Sequence, residues 1–139
     1  MAENITDTQP IKKPTIPKDA TVLVVEDNVA NFVLIARMLG YLGIHCEWKT
    51  SGYEVVEYAD TLQRLDLILM DISLPILDGY EATRRIKADP ALRSIPIIAV
   101  TSHAIGGGEE KARAAGCDDF VAKPFSPRQL LAKVKEYLP

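Results

Sequence analysis

Five times between Ala20 and the C-terminus, a short apolar run gives way to a stretch whose apolar residues recur at helical spacing. Residues 22–25 are continuous and rich in β-branched side chains, the pattern of a strand buried on both faces. Val29, Phe32, Val33, Ala36 and Leu39 follow at helical spacing, and Gly40 or Gly43 can end that helix. His45–Lys49 reads as a short second strand. Ser51-x-x-Glu54 forms a capping box for a helix with Val55, Val56, Ala59 and Leu62 inward. Residues 66–70 make a central third strand, after which Asp78 caps a helix running to Ala88. Residues 95–100 form the fourth strand, and a helix over residues 107–115 ends at Gly116. Asp119–Ala122 is the fifth strand. Ser126 and Pro127 open a last helix with Leu130, Leu131, Val134 and Leu138 on one face. Five such units with short links define an α/β protein. Its doubly wound, five-stranded parallel sheet carries helices on both faces, joined by right-handed crossovers.

A chain of 139 residues bounds this to one domain with a single real core. The leader at 1–19 departs from the alternation. Pro10, Pro14 and Pro17 stand among polar residues without periodicity, so a disordered or weakly ordered tail is expected before the domain at 20–139. A formal charge of −3 argues against nucleic acid or an anionic membrane as the main partner. No stretch reaches the roughly 18 apolar residues of a membrane span, and the N-terminus lacks the apolar core of a secretory signal. Cys46 and Cys117 belong to no metal-binding pattern and are expected as free thiols in a reducing compartment. The expected location is cytoplasmic.

Chemistry-bearing residues close the strands. Glu26-Asp27 ends the first apolar run, Asp71 the third, Thr101 the fourth and Lys123 the fifth. In an open parallel sheet the carboxyl ends of the strands form the ligand crevice, so these side chains should converge there. Three carboxylates in one crevice repel, and the site therefore calls for a cation or a raised pKa on one member. An all-oxygen donor set suits Mg2+ better than Zn2+, which favours His or Cys. With the charge neutralised, one carboxylate can act as a nucleophile toward a phosphoryl group. Lys123 would pair with Asp71 at rest and with phosphoryl oxygens afterwards, and Thr101 would donate to a further oxygen.

These residues carry a family resemblance. Val24-Val25-Glu26-Asp27-Asn28, the run Leu67 through Asp71 to Pro75, Asp78-Gly79, the segment from Ala99 to Ala104 and Lys123-Pro124-Phe125 together resemble the receiver domain of two-component response regulators. The resemblance spans residues 20–139. It implies a flavodoxin-like (βα)5 fold of the chemotaxis-regulator type, with strand order 2-1-3-4-5. It further implies that Asp71 is the phosphoacceptor and that Glu26, Asp27, Asp71 and the backbone carbonyl of Ser73 hold Mg2+. Thr101 and Lys123 would be the switch pair, Phe120 the rotating aromatic, and Ser73 and His103 the positions that tune dephosphorylation. Lys123-Pro124 is often a cis peptide in this family.

The expected function is that of a single-domain response regulator, not an enzyme, though with intrinsic self-phosphorylation and autodephosphorylation chemistry. It would take a phosphoryl group from a histidine kinase or histidine phosphotransfer protein. It would then relay that group, or switch a protein-binding face made by the fourth helix, fifth strand and fifth helix. The last helix ends at Pro139 with no output domain expected after it; the chain resembles stand-alone receivers, and the separate-looking leader at 1–19 favours an independent protein. A receiver excised from a hybrid kinase and a receiver-like docking module acting without phosphorylation stay open as alternatives. Two other classes do not fit. A haloacid-dehalogenase-type phosphatase needs an Asp where Ser73 stands, and a flavodoxin-type cofactor loop would not carry Glu26-Asp27.

Overall fold

The computed structural model describes residues 20–59, 61, 64–72, 79–101, 108–123 and 125–138. The leader at 1–19, Ser73, Asp78, His103, Gly107 and Pro124 lie outside the described residues, as do the side chains of Val56, Ala59 and Leu62. Five strands, β1 (Thr21–Val25), β2 (His45–Lys49), β3 (Leu67–Asp71), β4 (Ile97–Thr101) and β5 (Asp119–Ala122), alternate with five helices. These are α1 (Val29–Tyr41), α2 (Gly52–Ala59), α3 (Gly79–Ala88), α4 (Glu109–Ala115) and α5 (Pro127–Tyr137). All strand pairs are parallel, and the order across the sheet is β2-β1-β3-β4-β5, as the resemblance implied.

Alternation along each strand splits the core in two. Leu23, Val25, Ile68, Met70, Ile97 and Ala99 pack beneath α2, α3 and α4. Val22, Val24, Leu67, Leu69, Ile98 and Val100 pack against α1 and α5. The three central strands are buried residue for residue, which explains their unbroken apolar runs. Caps set the helix limits. Asn28 accepts the Asn31 N–H at 2.9 Å to start α1. Ser126 and Gln129 form a reciprocal capping box before Pro127. Gly116 closes α4 at φ 112°, a left-handed conformation that favours glycine.

Strand limits shift slightly from the sequence reading. The ladder of β4 begins at Ile97 rather than residue 95, because Pro96 has no N–H to donate; its carbonyl accepts from Ile68 instead. Asp66 precedes β3, with its carboxylate accepting the Thr21 N–H at 2.9 Å. A larger difference concerns α1. The stripe facing the sheet is Phe32, Ile35, Met38 and Leu39, while Val29 and Val33 are exposed. In a helix with Arg37 as its only charge, several stripes satisfy the apolar period, and the sheet takes the one with the bulkier side chains.

Candidate functional site

The register of the strands brings the predicted residues together. Val25 pairs with Met70, so Glu26 and Asp71 are the next step on adjacent strands. Asp71 pairs with Val100, and Thr101 pairs with Ala122, which puts Thr101 and Lys123 one step further along β4 and β5. One oxygen from each of Glu26, Asp27 and Asp71 lies within 4.8 Å of the others. Glu26, Asp71 and Thr101 are buried, whereas Asp27 is exposed at the mouth. Lys123 Nζ stands 3.3 Å from Glu26 Oε1 and 3.6 Å from Asp71 Oδ2. The ammonium thus sits between the two buried carboxylates, nearer Glu26 than the sequence reading placed it. The Lys123 N–H donates to the Thr101 carbonyl at 2.7 Å, tying the lysine's position to the end of β4.

Glu26 shows the strain of this arrangement. Burial, reinforced by the charge and hydrogen bond of Asp71, raises its pKa above the usual glutamate value. Lys123 and the Asn28 N–H, which donates to Glu26 Oε2 at 3.2 Å, oppose that shift without cancelling it. The pocket therefore holds more negative charge than its lysine neutralises, and a divalent cation would relieve it. Among the described residues the clustered donors are carboxylate oxygens, and exposed Asp27 leaves room for retained water, as Mg2+ prefers. The residues fit that ion.

Two consequences can be measured. A glutamate whose folded pKa is raised contributes stability at low pH that is lost as pH rises through that value. Mg2+ bound at these carboxylates would have to displace the same proton, so any stabilisation by the ion should grow as pH rises. Expected is a clearly larger melting-temperature gain from millimolar Mg2+ at about pH 8 than at about pH 5. Equal gains at both would show that Glu26 carries no competing proton.

Gly79 yields the second. A Cβ there would lie 2.6 Å from the Asp71 carbonyl oxygen and 2.7 Å from the Ile72 Cα, both backbone atoms with little room to yield. Glycine lets α3 start directly against the chain that carries Asp71, and the Gly79 N–H donates to the Ile72 carbonyl at 3.2 Å. Gly79→Ala is expected to cost about 1–3 kcal/mol in urea unfolding. A loss under about 0.5 kcal/mol would show the contact relaxes freely.

Phe120 is half-buried against the α2–α4 layer. It also lines a groove of about 450 Å³ with Val121, Ala122, Gln129, Ala132, Lys133 and Glu136. That groove lies where β5, the last strand of the sheet, meets α5. Asp119 accepts from Lys133 at 2.9 Å and from the Tyr137 hydroxyl at 3.1 Å, holding α5 on β5. Sequence reasoning missed Trp48, whose indole N–H donates to the Glu26 carbonyl at 2.8 Å. Its lone position on a polar edge strand was the available signal.

Fold and pocket define a parallel α/β protein with an acidic, lysine-bearing crevice at its strand ends. The family description "response regulator receiver domain" matches residues 22–135, and the chain belongs to that family. Among curated relatives, the polar-differentiation response regulator DivK of Brucella anthropi is 40% identical over 118 residues, covering 85% of this chain and 95% of DivK. Among solved structures, the receiver domain of a Pseudomonas aeruginosa PAO1 sensor histidine kinase superposes with a TM-score of 0.80 at 41% identity. The match covers 86% of this chain and 97% of that one, and that structure has a magnesium ion coordinated in its active-site cleft. A Saccharomyces cerevisiae co-crystal of the phosphotransfer protein Ypd1 with the receiver domain of Ssk1 also matches, with TM-score 0.80 and 29% identity. It covers 90% of this chain and 91% of that one. No helix among the described residues is long and apolar enough to cross a membrane.

Proposed function

We propose that this receiver accepts a phosphoryl group on Asp71 from a histidine kinase or histidine phosphotransfer protein, in a Mg2+-dependent reaction. The observation that carries the reading is the meeting of Glu26, Asp27, Asp71 and Lys123 at the carboxyl edge of one sheet, with more carboxylate than the lysine can balance. An Asp71 carboxylate oxygen attacks phosphorus as the bond to the donor's imidazole nitrogen breaks, leaving an acyl phosphate and a neutral imidazole. Bound Mg2+ would neutralise charge on the phosphoryl oxygens, held by Glu26, Asp27 and Asp71 with the Ser73 carbonyl. The Lys123 ammonium then moves from Glu26 toward the new phosphoryl oxygens, and Thr101 donates to another. Ser73 and His103 set how readily water removes the group.

Drawing Thr101 inward makes space that Phe120 fills, and this shifts the face of α4, β5 and α5 between two states. That face would meet the downstream protein, and the groove beside Phe120 is the part of it already open. The phosphoryl group moves this equilibrium only as far as it binds one state better than the other. The donor has its own surface. Any protein that reaches Asp71 must also cover the start of α1, two residues beyond Asp27. There Val29 and Val33 are 59% and 39% exposed, one helical turn apart, with exposed Leu34 beside Val33. Val33→Asp is expected to slow transfer from the protein donor about tenfold or more while small-donor phosphorylation stays unchanged. Unaltered protein-donor kinetics would remove α1 from the interface.

The direct test of the function is intact mass after incubation with phosphoramidate, with and without Mg2+. One Mg2+-dependent phosphoryl adduct is expected. Its absence from a folded protein would favour a docking module that works without phosphorylation.

A further inference from the structure

We infer that Trp48 is a positioning residue for the metal-binding loop, a role that rests on the proposed Mg2+ site and extends it to a side chain outside the acidic cluster. Where the chain leaves β1, both backbone groups of Glu26 are held by β2. Its N–H donates to the Lys49 carbonyl at 3.0 Å, and its carbonyl accepts the Trp48 indole N–H at 2.8 Å. The second of these bonds fixes the peptide plane that joins Glu26 to Asp27. Asp27 is exposed, so the course of its backbone sets where its carboxylate stands beside Glu26 and Asp71.

The indole is itself oriented from a second side. Trp48 stacks on Phe32 of α1 with ring centroids 4.3 Å apart and planes 4° from parallel. Phe32 sits one turn into the helix that Asn28 caps, and its N–H donates to the Asn28 carbonyl at 3.0 Å. A closed circuit results: Trp48 to Glu26 by a hydrogen bond, Glu26 through Asp27 and Asn28 to α1, and α1 back to Trp48 through the ring stack. The acidic loop cannot tilt without breaking one of these links. On β2, a five-residue edge strand with half-buried or exposed side chains, core packing alone does not demand a tryptophan. A buried-core role would need only a large apolar residue; the bond to the Glu26 carbonyl needs the N–H.

Trp48→Phe keeps the stacking surface and deletes the donor, whereas Phe32→Leu keeps the donor and loosens the stack. Mg2+ affinity of each, by calorimetric titration, would be compared with the melting temperature in EDTA. Losing one well-made hydrogen bond corresponds to about three- to tenfold. Trp48→Phe is therefore expected to bind Mg2+ about three- to tenfold more weakly, with a smaller loss in Phe32→Leu, whatever each variant loses in metal-free melting temperature. A second measurement covers the case in which Trp48→Phe fails to fold. Trp48 is the chain's one tryptophan, so wild-type emission should shift on Mg2+ titration with the calorimetric midpoint. Wild-type affinity in Trp48→Phe, or an emission spectrum indifferent to bound Mg2+, overturns the role of Trp48 while leaving the metal site standing. Absence of Mg2+ binding by the wild-type protein would overturn the site and this inference together.

Discussion

Asp71→Asn is expected to take up no phosphoryl group and, in the absence of metal at neutral pH, to melt several degrees above the wild-type protein. The first effect follows from removing the nucleophilic oxygen: an amide has no anionic lone pair to offer phosphorus. The second follows from the charge balance of the pocket. Asp71 and Glu26 are both buried, and Asp71 raises the Glu26 pKa more than Lys123 lowers it. Replacing one carboxylate by a neutral group of the same shape relieves that repulsion. About 1 kcal/mol of relief corresponds to roughly 4–5 °C in a domain of this size. The sign with pH is fixed by Glu26. Its stability contribution is present at low pH, where it is protonated, and is lost as pH rises through its raised value. The variant's advantage should therefore widen from about pH 5 to about pH 8. Intact mass and calorimetry in EDTA check both halves. An adduct on the Asn variant would put the acceptor elsewhere, and a lower melting temperature would show that the Lys123–Asp71 pair outweighs the repulsion. Gain of stability with loss of function is the pattern expected where a site stores unfavourable charge.

Much of this pocket was legible in the sequence, for a specific physical reason. Strands buried on both faces must be almost wholly apolar, so a charged or hydroxyl residue closing such a run needs an explanation. Glu26, Asp71, Thr101 and Lys123 each stood at such a boundary, and a parallel sheet gathers those boundaries at one edge. The continuous run of β3 likewise made its central place readable, and that of β1 its burial on both faces. Other features were hidden because they depend on the fit between elements. Gly79 looked like an ordinary helix start, and only the approach of α3 to the Asp71 carbonyl shows why a Cβ is excluded. Trp48 meets Glu26 through the register of β2 on β1, which a half-exposed strand does not announce. The inward face of α1 was misread because a helix nearly free of charge offers no polar side to orient it.

Lys123→Met should show how much the lysine contributes before any phosphoryl group arrives. Methionine preserves most of the stem but not the ammonium, which lies 3.3 Å from Glu26 and 3.6 Å from Asp71. Removing one partner of a buried charge cluster leaves the rest uncompensated, and a loss of about 3 kcal/mol is expected in urea unfolding at about pH 8 without metal. Because Lys123 is among the influences that lower the Glu26 pKa, its loss raises that value further. Protonated Glu26 then costs nothing at low pH, so the loss should shrink toward about pH 5. Mg2+ held by Glu26, Asp27 and Asp71 would supply positive charge to the same carboxylates and should restore more stability to the variant than to wild type. The same variant separates phosphorylation from its consequence. Asp71 keeps its nucleophilic oxygen, so a small donor should still produce the adduct, but nothing replaces the ammonium that would draw in the new phosphoryl oxygens. Affinity for a downstream partner should then no longer respond to phosphorylation. A stability loss equal at both pH values would assign Lys123 a packing role through its stem, and a retained partner response would move the switch from Lys123 to Thr101 alone.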